Sequence, residues 1–156
     1  MDFVLRRTTA DNEDFQVLVK ELDHELWVEL KEDQATYDQF NTVANISTVV
    51  IAYNNDEPVA CGCFKKFDEQ TVEIKRMFVR KNHRGRGISK KILAELEEWA
   101  TEQNYSYAVL ETSIHFKAAC NLYTSRYYEI ISNYGPYADL PESVCMRKDL
   151  TINRAN

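Results

Sequence analysis

Between Lys75 and Lys91 stand eight Lys or Arg and no acidic residue, in a chain whose formal net charge is −6. Gly85 and Gly87 lie inside that basic run, flanked by Arg84 and Arg86. Before it, Val72, Ile74, Met77, Phe78 and Val79 read as an apolar, β-branched strand. After it, Ile88, Ile92, Leu96 and Ala100 recur at helical period, and Leu93 and Trp99 widen the stripe. The glycines therefore fall where a helix begins. A helix start carries orphan N–H groups and the positive end of a dipole, and glycine lets that backbone approach an anion closely. The chemistry expected of residues 72–100 is a grip on the diphosphate of a coenzyme.

Two common diphosphate motifs do not fit. The P-loop pattern G-x-x-x-x-G-K-S/T is absent. A dinucleotide fingerprint, G-x-G-x-x-G, is met at Gly85 and Gly87 but has Lys90 at its third glycine, so a nucleotide-dependent oxidoreductase is a weak alternative. An ordinary strand-to-helix turn is the plain alternative. The four cysteines, Cys61, Cys63, Cys120 and Cys145, form no C-x-x-C pair, and the three histidines are scattered at His24, His83 and His115. No metal site is expected from such spacing. Cys61 and Cys63, two apart in a strand, read as small buried hydrophobes.

The elements that must position this loop can be followed along the chain. Residues 3–7 read as a strand, and Thr8, Thr9 and Asp11 offer cap oxygens for a helix bearing Phe15, Leu18, Val19, Leu22, Leu26 and Leu30. A shorter helix is expected around 35–41. Between Asp11 and Asp38 ten acidic residues face only Lys20 and Lys31. They read as a solvated helix face, or as an acidic wall that attracts a cationic amine. Residues 46–53 and 57–67 read as a hairpin about Asn54-Asn55-Asp56, and a turn at 68–70 leads into the strand already described. A helix over 88–102 and a strand over 105–111 complete a βαβ unit with parallel strands. A helix over 115–126 and strands at 128–132 and 143–148 follow, with 151–156 as a tail.

At 156 residues, with 44% hydrophobic and 12% aromatic residues, one α/β domain over 1–150 is expected. The acidic balance argues against nucleic acid as a partner. No apolar run approaches the roughly 20 residues that span a bilayer, and the first residues lack the apolar core of a signal peptide. A cytoplasmic chain with no membrane partner is expected. An exposed edge strand can pair in a homodimer.

Arg84-Gly85-Arg86-Gly87-Ile88-Ser89 resembles the Arg/Gln-x-x-Gly-x-Gly/Ala signature of the GNAT superfamily of acyl-CoA-dependent N-acyltransferases, with Ser89 at the final small position. Ala119-x-x-Leu122-Tyr123 resembles a second family segment, with Phe116 in place of its asparagine and Tyr127-Tyr128 in place of its Gly-Phe. The order of elements resembles the GNAT fold over nearly the whole chain.

The resemblance implies a mixed sheet, with an antiparallel N-terminal meander joined to a βαβ unit whose parallel strands splay. It implies that acetyl-CoA is the cosubstrate. Amides from Arg84 to Ser89 would then hold the pyrophosphate, and the main chain at Met77, Phe78 and Val79 would pair with the pantetheine arm. A backbone donor near Phe78 or Val79 would polarise the thioester carbonyl. Tyr123 becomes the acid that protonates the departing thiolate. Glu73, on the central strand, is the first candidate base, with Glu111 and His115 as others. Cys120 lies on the Tyr123 helix with nothing near it to mark an activated nucleophile.

The activity implied is transfer of an acetyl group to an amine acceptor, small molecule or protein, by direct attack in a ternary complex. The helix pair over 11–41 and the loop Tyr134-Gly135-Pro136-Tyr137 are expected to recognise the acceptor. A non-catalytic acyl-CoA-binding module would use the same fold.

Overall fold

The structure, a computed structural model, describes residues 3–30 and 42–152. The short helix expected at 35–41 and most of the tail lie outside the described residues. The strands are β1 (Val4–Thr8), β2 (Val49–Asn54), β3 (Glu57–Asp68), β4 (Thr71–Val79), β5 (Tyr107–Ser113), β6 (Glu129–Ile131) and β7 (Ser143–Asp149). They form one seven-stranded mixed sheet in the order β1-β2-β3-β4-β5-β7-β6. The helices among the described residues are α1 (Glu13–Leu30), α2 (Ile88–Glu102) and α3 (Lys117–Ser125). The expected α/β class, meander and βαβ unit are all present. None of these helices is long and apolar enough to cross a membrane. The chain condenses into two compact units: Met1–Lys65 with Lys75–Leu96, and Lys66–Ile74 with Glu97–Asn156.

In the first unit β1 runs antiparallel to β2, and β2 to β3. The hairpin turns through Asn55 (φ 50°) and Asp56 (φ 69°), two successive left-handed residues, as a type I′ turn requires. Asn and Asp tolerate that region better than other side chains. Helix α1 is capped by Asn12, whose Oδ1 accepts from the amides of Asp14 (2.8 Å) and Phe15 (3.2 Å). The cap expected of Thr8, Thr9 or Asp11 is instead Asn12. Phe15, Leu18 and Leu22 of α1 cluster with Val49, Ile51, Cys61, Cys63 and Phe78. Gly62 is a point of close approach: a Cβ there would stand 2.5 Å from the Met77 sulfur and 3.0 Å from Ile92. The missing side chain lets Ile92 and Leu96 of α2 lie against β3.

In the second unit the parallel register runs Thr71↔Tyr107, Val72↔Ala108 and Glu73↔Val109. β5 and β7 pair antiparallel from Tyr107↔Asp149 to Ser113↔Ser143, and β6 pairs with β7 on its other side. Lys148 and Glu97 form a buried ion pair (2.8 Å), and Glu97 also accepts from the Tyr128 hydroxyl (2.9 Å).

Helix α3 closes with the Tyr128 amide returned to the Tyr123 carbonyl (3.0 Å), which forces Tyr127 to φ 72°. Glycine normally serves here, and a side chain in this region is strained. Tyr127 is exposed, and its ring lies at a distant 5.9 Å from the Lys148 ammonium. Tyr127→Gly is expected to stabilise the fold by about 0.5 kcal/mol, the strain relieved less the entropy glycine adds to the unfolded chain. A rise in the urea midpoint at unchanged m-value would show it.

Candidate functional site

The basic loop belongs to the first unit. After β4 the chain makes one 3-10 turn at Lys81–His83, then passes through Arg84 to Gly85 and Gly87, both at φ 78°. That angle, not crowding, calls for glycine: a Cβ at either position would meet nothing within 4 Å. The Lys91 amide bonds the Gly87 carbonyl (3.3 Å), the first rung of α2. The amides just ahead of it are those a helix start leaves without an intrahelical acceptor. Arg84, Gly85, Arg86 and Gly87 are exposed, whereas Ile88 is buried and anchors the helix.

The arginines beside this loop face α1. Arg84 donates to both carboxylate oxygens of Glu25 (2.7 and 2.9 Å) and to the Val79 carbonyl (2.7 Å). Arg80 makes a two-point pair with Glu21 (2.6 and 2.9 Å) and also bonds the Pro58 carbonyl (2.8 Å). Arg76, buried, bonds Asp23 and the Val19 carbonyl. Three arginines spaced by four residues thus meet three acids spaced by two. Glu21, Asp23 and Glu25 are thus partly exposed carboxylates held in ion pairs within the first unit.

β4 carries a break in its regular geometry at Arg76, whose φ of 57° is left-handed. A strand cannot continue its ladder through such a residue unchanged. Nothing in the residue type of Arg76 signals this distortion. Phe78 is buried in the core cluster, while Met77 and Val79 are half-buried.

The candidate acid and bases lie in the second unit. Glu73 is 5% exposed, and the Tyr134 hydroxyl donates to its Oε2 at 2.6 Å. Glu111 accepts from the Ser143 hydroxyl at 2.7 Å. Both carboxylates lie close enough to Cys145 to act on its thiol. Burial chiefly, with their fields adding, pushes that thiol up to about 11. His115 instead stands exposed beside Glu142 (3.3 Å), in a separate surface pair. Burial holds the Tyr123 phenol above its ordinary pKa of 10, with the charges at Cys120 and Glu111 adding, and its ring meets Tyr128 edge-on at 5.8 Å. It is therefore a neutral donor at physiological pH.

The loop carrying Tyr134 is pinned by Asn133, whose amide donates to the carbonyls of Leu140 (3.1 Å) and Ser143 (3.0 Å). Asn133 escapes sequence reasoning because it reads as one more turn residue. Among the described residues no group of His, Cys, Asp and Glu is placed to hold a metal ion.

The acetyltransferase (GNAT) family model matches residues 13–127. The chain is 33% identical over 101 residues to the uncharacterised N-acetyltransferase YsnE of Bacillus subtilis, covering 64% of this chain and 67% of that one. Its fold matches a provisionally assigned acyl-CoA N-acyltransferase from Klebsiella pneumoniae with a TM-score of 0.80 and 29% identity, over 95% of this chain and 97% of that one. It also matches the PaiA N-acetyltransferase of Thermoplasma acidophilum, solved in complex with coenzyme A, with a TM-score of 0.68 and 14% identity, over 96% and 99%.

All four cysteines are free thiols, and burial raises Cys61 and Cys120 as well as Cys145. Brief alkylation at neutral pH is expected to mark only half-buried Cys120, and slowly, with all four marked after unfolding. Rapid labelling of Cys120, read by peptide mass spectrometry, would instead indicate an activated thiolate fit for a covalent acyl-enzyme.

Proposed function

This chain belongs to the acetyltransferase (GNAT) family, and on that premise we propose that it moves an acetyl group from acetyl-CoA to the primary amine of a small molecule or protein. Amides between Arg84 and Ser89 would bind the pyrophosphate, and the Met77–Val79 main chain would pair with the pantetheine arm. Arg84 is already held by Glu25 and the Val79 carbonyl, which favours a grip made by peptide groups over one made by its side chain.

In the proposed step the amine nitrogen attacks the thioester carbonyl directly. The new C–N bond forms and the C–S bond breaks. The amine proton passes to Glu73, directly or through a water, and Tyr123 gives its phenolic proton to the leaving sulfur. Both residues return to their starting states by exchange with solvent.

The observation that carries this reading is Glu73. A carboxylate so deeply buried costs desolvation, and a base for amine attack is a reason to keep it there. Tyr123 adds a phenol kept protonated by burial.

Release of free coenzyme A thiol over a panel of primary amines tests the activity. Persistent lack of turnover, with coenzyme binding intact, would point to a binding module instead. Tyr123→Phe is expected to lower kcat about a hundredfold while leaving coenzyme affinity within a factor of two. Because the phenol is held above its ordinary value of 10, the wild-type kcat should show no loss from its ionisation up to that pH.

A further inference from the structure

The second unit contains a cavity of about 260 Å³, too small for a coenzyme and suited to one ring-sized body. Phe67 and Tyr134 form one wall, edge to face at 5.0 Å. Val109 and Ile131 supply apolar lining, and Tyr107 with Arg147 forms a further wall. Tyr134 has two roles. Its ring bounds the cavity, and its hydroxyl bonds Glu73. Glu73 is not itself part of the lining, so an occupant of this space is linked to the carboxylate proposed as the base through the Tyr134 side chain.

Arg147 decides the chemistry of the occupant. Its guanidinium lies 3.8 Å from the centre of the Tyr107 ring. A guanidinium stacked on a ring leaves its N–H groups pointing outward in its own plane, the geometry that receives a carboxylate through two parallel bonds. Asp68, also at the cavity, is committed mainly to its own turn: its carboxylate accepts from the Gln70 amide at 2.9 Å, and bonds to Gln70 and Thr71 hold it below the usual carboxylate range, with the Arg147 charge adding a smaller share. The cation is thus the group positioned to meet a ligand, and it would repel the acceptor's own ammonium.

The sheet register sets the spacing. Glu73 lies opposite Val109, and Val109 lies opposite Arg147. Base and guanidinium therefore start from one row, two strand spacings or about 10 Å apart. That backbone spacing is one that a ligand with separated charged ends would match.

We propose that this cavity binds a carboxylate-bearing primary amine whose charged ends are separated by an apolar or aromatic body, with the carboxylate on Arg147 and the amine toward Glu73. The amine end rests on the acetyl-transfer reading above; the carboxylate end does not.

Calorimetric titration of the protein saturated with coenzyme A, using para-(aminomethyl)benzoate and its neutral analogue para-(aminomethyl)benzamide, tests this. The benzoate should bind at least tenfold more tightly, about the effect of one charged hydrogen-bonded pair. Arg147→Ala should abolish that preference and Arg147→Lys should keep part of it. Arg147→Gln serves should the alanine variant fail to fold. Equal affinity for the two probes, no binding of either, or a preference that survives loss of the guanidinium would overturn the proposal. Because binding is read without turnover, a protein that discriminates the probes yet releases no thiol would refute acetyl transfer and leave the carboxylate site standing.

Discussion

Charge buried along β4 needs an answering group, and much of the arrangement follows from that need. Glu73, Lys75 and Arg76 are each less than a tenth exposed within a strand that also carries Val72, Ile74 and Phe78. An ionised group removed from water costs several kcal/mol unless it is paired and hydrogen-bonded. Tyr134 answers Glu73 from the loop between β6 and β7. Asp23 and the Val19 carbonyl answer Arg76 from α1. These contacts tie β4 to segments more than 50 residues away in sequence. Loss of one partner would strand a charge in the interior, so these pairs specify an arrangement more strongly than they add to net stability.

The same pairing accounts for two features that look unrelated in sequence. One segment is strongly acidic and another, more than 50 residues later, strongly basic. In the folded first unit, three rungs of each meet: Asp23 with Arg76, Glu21 with Arg80, Glu25 with Arg84. The side-chain charge of the loop is thereby partly neutralised from within. What remains distinctive there is geometric, namely two left-handed glycines at the head of a helix.

Legibility in the sequence followed the range of the forces involved. Helix α2 was readable to its ends because its apolar period is unbroken and the glycines ahead of it are local signals. The hairpin at Asn55 and Asp56 was readable for the same reason. Strand β2 begins at Val49, not at Ile46, although Ile46 is buried; burial alone does not make a residue part of the ladder. The cap was expected at Thr8, Thr9 or Asp11 and is Asn12, because all four offer a suitable oxygen and only tertiary placement chooses. Arg76 gives no hint of its backbone angle, since a strand rich in Val, Ile and Phe reads as regular. Glu73, Glu111 and His115 were all candidate bases in the sequence, with Glu73 first; burial and partners separate the first two from the third. The cavity beside Tyr134 was illegible for a related reason: it is assembled from five strands and two loops.

Gly85 and Gly87 have a consequence for how such a loop changes through time. Peptide groups are common to every residue, so a hold made by them is untouched when the neighbouring side chains are exchanged. If the loop holds its ligand by peptide groups, as proposed, what inheritance must preserve at these two positions is a torsion angle rather than a functional group. Lineages are then free to vary the decoration of the loop while its purpose persists, and a search for invariant reactive side chains would pass it by.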